Sequence, residues 1–139
     1  TPLHLAVLNG KYKIVVKLAE NGADLSLKYR ESNPPLHIAC LKHYPGVALL
    51  LIDLKADVNE QNNDGATPLH LAVLNGKYKI VVKLAENGAD LSLKYRESNP
   101  PLHIACLKHY PGVALLLIDL KADVNEQNND GATPLHLAV

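Results

Sequence analysis

Five histidines stand in the same Leu-His step, at His4, His37, His70, His103 and His136, and consecutive ones are 33 residues apart. Imidazole is the commonest side-chain metal ligand and the base best suited to neutral pH, so a regular row of histidines raises both chemistries. Zinc, however, holds its nitrogen ligands at about 2.0–2.1 Å, whereas equivalent positions on stacked helices start about 8–10 Å apart. A shared ion would demand unusual convergence of the rings. The residues fit a structural duty better: each imidazole bonds its own threonine three residues upstream, where there is one, or a neighbouring backbone group.

The remaining reactive side chains point the same way. Cys40 and Cys106 are 66 residues apart, two stacking steps of about 8–10 Å each. That is far beyond the roughly 4.4–6.8 Å between α-carbons that a disulfide allows, so both are expected to be small core residues. His43 and His109 fall in an inter-helix turn and should be solvated. Ser26 and Ser32 have no histidine nearby in sequence, and neither a phosphate-cradling glycine loop nor a matched carboxylate pair is present. The pattern is that of a non-enzyme without metal or cofactor. The KYK at Lys11 and KYR at Lys28 set aromatics beside bases, as single-strand nucleic-acid sites do, but the acidic segment 34–66 interrupts any continuous track. With 14 Lys plus Arg against 14 Asp plus Glu, no net field attracts nucleic acid or an anionic membrane.

The elements that position these residues follow from repetition. Residues 1–66 recur letter for letter as 67–132, and Thr133–Val139 begins a third copy with TPLHLAV. Inside the unit a looser period of 33 aligns TPLHLAV at Thr1 with PPLHIAC at Pro34, and GADLS at Gly22 with KADVN at Lys55. The halves are termed A and B, giving blocks 1–33, 34–66, 67–99, 100–132 and the partial 133–139. In half A, Thr1 can cap a helix, Pro2 suits its first position and Gly10 can take the left-handed conformation that ends it. A second helix is predicted from Tyr12 to Glu20, with Ile14, Val15, Leu18 and Ala19 on its apolar side and Gly22 as its stop. From Leu25 to Asn33 the helical period is lost, and the matching DVNEQNNDGA of half B is rich in turn formers, so a loop or hairpin is expected. Such short helices do not persist alone in water, and the near-continuous apolar character of PLHLAVL calls for neighbours on both sides.

Half B departs from this scheme. Pro34 replaces the capping threonine, His43 the inter-helix glycine and Lys55 the glycine after helix two, while Ser32 stands where half B's loop has Gly65. A residue forced into the left-handed region costs about 1 kcal/mol, as does a lost cap. These blemishes suit a natural pair of blocks, whereas identity over 66 residues suits a deliberate or very recent duplication. Half A carries five basic and three acidic residues and half B two and four, so neighbours alternate +2 and −2. Exposed pairs rarely exceed about 1 kcal/mol, and apolar burial must dominate.

TPLHLA at Thr1, Thr67 and Thr133, PPLHIA at Pro34 and Pro100, the GAD turns at Gly22 and Gly88, KADVN at Lys55 and Lys121, and DGATPLH at Asp64 and Asp130 together resemble the ankyrin repeat along the whole chain. The resemblance implies an all-α solenoid of helix-turn-helix units with extended loops, working as a protein-interaction scaffold. Its concave face, made of loop tips and first helices, would correspond to Leu8, Asn9, Arg30, Glu31 and Asn33, and to Leu41, Lys42, Asn63, Asp64 and Ala66. The second copy adds Leu74, Asn75, Arg96, Glu97 and Asn99, and Leu107, Lys108, Asn129 and Asp130. Leu8, Leu41, Leu74 and Leu107 would then form an apolar row among charges, either a partner strip or packing against the next loop. Leu50 and Leu54, standing where half A has Lys17 and Asn21, would give a second apolar patch on the outer face. Leu51 followed by IDLKADVN resembles segments accepted by asparaginyl hydroxylases, with Asn59 and Asn125 as acceptors beside the plainer reading of a turn asparagine.

Composition bounds the rest. At 139 residues, 47% hydrophobic and 20% charged, the chain reads as one soluble domain. Its longest apolar-rich stretch, HYPGVALLLI from His43, is about half a bilayer span. Two cysteines and no secretory leader suggest a reducing, intracellular compartment or recombinant origin. The apolar helices at both ends leave the array without polar caps, as expected of a window on a longer array or of molecules stacking end to end into filaments. An engineered repeat array without a cognate partner is the alternative to the scaffold.

Overall fold

The computed structural model describes residues 1–28, 33–42, 44–95 and 99–138. Among them are nine helices: α1 Pro2–Leu8, α2 Tyr12–Glu20, α3 Pro35–Leu41, α4 Pro45–Asp53, α5 Pro68–Leu74, α6 Tyr78–Glu86, α7 Pro101–Leu107, α8 Pro111–Asp119 and α9 Pro134–Ala138. Each starts where a proline or a tyrosine-lysine step follows a turn, and the first helix of every block carries proline at its first position. Among the described residues no helix is long and apolar enough to cross a membrane.

The protein is an all-α solenoid. Within a block the two helices pack on each other, and between blocks α1, α3, α5, α7 and α9 form one row while α2, α4, α6 and α8 form a second. Every substantial helix contact lies inside a block or between neighbours. Such stacking is what stabilises helices of seven and nine residues, well under the roughly 12–15 that an isolated helix needs. The core runs along the space between rows: Leu3, Leu36, Leu69 and Leu102 from first helices, Leu51, Leu84 and Leu117 from second helices, all essentially without solvent contact. Each contributes about 1.5–3 kcal/mol of burial.

Helix starts differ between the halves as the sequence indicates. The hydroxyls of Thr1 and Thr67 accept from the backbone N–H of His4 and His70, while Pro34 and Pro100 supply no side-chain cap to α3 and α7. The cost of the missing glycines is also visible, because Lys55, His109 and Lys121 hold φ of 70°, 57° and 73°, the left-handed region where a β-carbon is crowded. His43 and Ser32 lie outside the described residues. A tyrosine explains one glycine: the ring of Tyr44 comes within 2.7 Å of where a β-carbon on Gly10 would stand, and φ at Gly10 is 63°. Loops of half B are closed by a turn in which Asn62 N–H donates to Ala66 O at 2.8 Å and the Asn62 side chain accepts from the N–H groups of Asp64 and Ala66. In the second half A, Tyr95 and Asn99 exchange backbone hydrogen bonds of 3.0 and 3.2 Å.

Two expectations need correction. Ile14 does not join the core: it is exposed, because no block lies on that side of α2, whereas its duplicate Ile80 is buried between α4 and α6. Cys40 is fully buried, but Cys106 is only half-buried, since no second helix follows α9 to cover it.

Candidate protein-binding surface

The histidine row is a set of latches. Nε2–H of His4 and His70 donates to the carbonyls of Leu27 and Leu93 at 2.6 Å, tying the first helix to its own loop. In half B the latch reaches further along the chain, from His37 to Ala66 and from His103 to Ala132, at 2.9 and 3.0 Å. With Nε2 donating, Nδ1 must accept. In half A it does so from Thr67 N–H at 3.0 Å and from the Thr67 hydroxyl at 2.8 Å. Pro34 and Pro100 have neither group, and the buried Nδ1 atoms of His37 and His103 have no partner. Burial is the main force holding His4, His37 and His70 below the ordinary histidine value, His70 at about 4, with the bonded carbonyls opposing it. The rings are therefore neutral structural pins. Among the described residues no group of three or more His, Cys, Asp or Glu could hold a metal ion.

Loops are joined by asparagines. Asn62 Nδ2 donates to Asn33 Oδ1 at 2.9 Å, and Asn128 repeats this with Asn99 at 3.0 Å. Asn59 bridges two blocks, its Nδ2 donating to Gly88 O at 3.0 Å and its Oδ1 accepting from Asp90 N–H at 2.7 Å. This cross-block joint was not legible in KADVN. It makes the Asn59 amide part of the packing, while its duplicate Asn125 is exposed, with its backbone N–H on Asp123 at 2.9 Å. Lys28 Nζ donates to Asn63 Oδ1 at 3.0 Å across another junction.

Of the surface expected on the concave side, Arg30, Glu31, Arg96 and Glu97 lie outside the described residues. Asn9, Asn75, Lys42, Lys108, Asn63, Asn129, Asp64 and Asp130 are exposed, with Asn9 and Asn75 turning their amide N–H back onto the Leu5 and Leu71 carbonyls at 2.8 Å. Asn33 and Asn99 are half-buried in the asparagine pairs. Ala66 is corrected from surface to core: it is fully buried, and its carbonyl holds the His37 latch. The leucine row splits by half. Leu8 and Leu74 pack on the core, whereas Leu41 and Leu107 stand 42% and 45% exposed beside Lys42 and Lys108. On the outer face Leu50 and Leu54 are half-buried, and Leu50 packs on the core, so the second patch is smaller than its letters suggest.

Comparison with known families agrees with this geometry. Ankyrin repeats in three copies match residues 3–95, and ankyrin repeats in many copies match residues 84–138. The chain belongs to the ankyrin-repeat family. No curated protein matches it. For an ankyrin-repeat protein the general work is protein–protein interaction, and members are typically scaffolds without enzymatic activity.

Proposed function

We propose that this ankyrin-repeat protein is a non-enzymatic scaffold that engages a protein partner through loop tips and the C-terminal ends of its first helices. The observation that carries the reading is the pair Leu41 and Leu107, large apolar side chains left in solvent at the same place in successive units, each followed by an exposed lysine. An apolar anchor within a polar rim is the usual anatomy of a recognition site. Asn63, Asp64, Asn129 and Asp130 supply the polar rim from the neighbouring loops. The 66-residue spacing favours a partner long enough to span two units, which gains by engaging both anchors at once.

Affinity capture tests this with two variants. Leu41→Asp with Leu107→Asp removes the anchors without touching the core, and a partner held by the native chain is then lost. Glu86→Ala, at an exposed position of α6, leaves capture intact. Retention of the partner by the first variant overturns the reading. Exact identity of the two units favours a second reading, an engineered array without a cognate partner, for which neither chain retains any protein above background.

A further inference from the structure

The fold sorts charges that the composition balances. All 14 acidic residues lie in segments 20–31, 53–64, 86–97 and 119–130, each starting at the last residue of a second helix. Segments 8–13, 41–46, 74–79 and 107–112, which run from the end of each first helix into its second, hold six lysines and no acid. Stacking lays these turns side by side. The Tyr44 ring packs on Gly10 of the block before it, the Tyr110 ring lies 3.5 Å from where a β-carbon on Gly76 would stand, and Pro45 and Tyr78 line one cleft of about 240 Å³. One edge of the solenoid is therefore a basic ridge, carrying Lys11, Lys13, Lys42, Lys77, Lys79 and Lys108. It is equally open in both copies of the unit: Tyr12 and Tyr78 are 50% and 51% exposed, Leu41 and Leu107 42% and 45%. Leu41 and Tyr78 have a block on either side, so stacking does not cover this edge.

We propose that this ridge binds an acidic, extended segment of a partner protein, with a carboxylate at every third residue and apolar residues against Leu41 and Leu107. The inference rests on the scaffold reading above and names the chemistry of its occupant. Equivalent positions in stacked blocks are about 8–10 Å apart. A polyproline II segment has three residues per turn and rises about 3.1 Å per residue, so it advances about 9.3 Å per turn and presents one side chain to each block. The lysine or lysine pair of each block then meets one carboxylate, while Tyr12, Tyr44 and Tyr78 supply exposed ring surface between the charges. Unfolded chains already populate this conformation, which lowers the cost of ordering the segment. Nucleic acid fits less well. A strand carries one charge about every 3.4 Å, so lysines at this step would meet only about one phosphate in three, and the aliphatic Leu41 and Leu107 offer no platform for stacking bases.

Fluorescence anisotropy of labelled synthetic peptides, titrated with the full chain, tests it. The probe is a peptide of about twelve residues with glutamate at every third position and two leucines six residues apart, compared with one of the same composition whose glutamates are adjacent. The spaced peptide binds at least ~5-fold tighter than the clustered one, and its affinity falls as salt rises. Lys42→Glu with Lys108→Glu weakens it at least ~10-fold, two attractions being exchanged for two repulsions. Lys55→Glu with Lys121→Glu makes the same change in net charge about 13 Å away, at the far end of the second helices, and leaves the affinity within about twofold. Leu41→Ser with Leu107→Ser removes the apolar anchors without adding charge and weakens the peptide several-fold. All six positions are exposed, and circular dichroism shows each variant folded. Equal binding of the two peptides, equal loss from the two lysine pairs, or tighter binding of oligothymidylate or of phosphatidylserine vesicles than of the spaced peptide would each overturn the proposal. A lysine pair at 42 and 108 that binds as the native chain does, beside a weakened leucine pair, overturns the acidic occupant and leaves the anchors standing. The reverse result supports the acidic occupant and overturns the anchors.

Discussion

Replacing Pro34 by threonine should make this protein more stable, although proline usually stiffens the unfolded chain. Pro34 already holds φ −64° and ψ 164°, close to the −93° and 165° of Thr67, so threonine enters without moving the backbone. It would bring a hydroxyl that accepts from His37 N–H, worth about 1 kcal/mol as a helix cap. The same hydroxyl and the restored N–H reach the orphaned His37 Nδ1, and relieving a buried unsatisfied acceptor is worth about 1–3 kcal/mol. Against this stands about 0.4–1 kcal/mol of extra chain entropy in the unfolded state. The net gain is about 1–3.5 kcal/mol. With unfolding entropy of roughly 2.1 cal/mol/K per residue, a chain of this length should melt about 3–12 °C higher. Pro100→Thr repeats the experiment in the second unit. Calorimetry of Pro34→Thr beside Pro34→Val, which has the shape and the N–H but no hydroxyl, isolates the cap and the hydroxyl bond to Nδ1. A threonine variant no more stable than the native chain, or no better than the valine one, refutes the reasoning.

Three further outcomes follow from the same structure. Lys55→Gly and Lys121→Gly, by relieving φ of 70° and 73°, each raise the urea midpoint by an amount equivalent to about 1 kcal/mol. Acid weakens the fold: His4, His37 and His70 are held below 6.5, so the unfolded chain binds more protons once pH falls under that value. Stability is therefore full above 6.5 and declines towards 4, the value of His70, with a slope of about 1.4 kcal/mol per pH unit from that residue in equilibrium denaturation. A flat profile across this window contradicts the neutral latch. Alkylation of the Cys40→Ser and Cys106→Ser variants, followed by intact mass, finds Cys106 modified well before Cys40, whose thiol burial pushes to about 12 and encloses completely. Equal rates contradict the difference in cover.

Local features were the legible ones. Thr1, Pro2 and Gly10 mark both ends of α1 because capping and left-handed turns depend on residues within one turn of the chain, and Tyr12 to Glu20 is α2 residue for residue. Alignment of Lys55 with Gly22 likewise marks the strained turn, where Lys55 holds φ of 70°. Exposure was not legible, and duplication shows why. Ile14 and Ile80 share identical neighbours in sequence, yet one is in solvent and the other in the core, because burial is decided by which block stands alongside. The leucine row divides by half, into packed Leu8 and Leu74 and exposed Leu41 and Leu107, a difference of packing that the shared position at the end of the first helix does not announce. The Asn59 joint needed a partner 29 residues away that no local motif announces.

The contact pattern of the solenoid has a mechanical side. Because each block leans only on those beside it, a tug on the two termini loads the junctions in series, like the coils of a spring, and no single tie bears the whole force. Small openings at each junction add along the length, so the rod stretches before it yields. Any molecule bridging Leu41 and Leu107 would feel that stretch as a change in the distance between its two footholds.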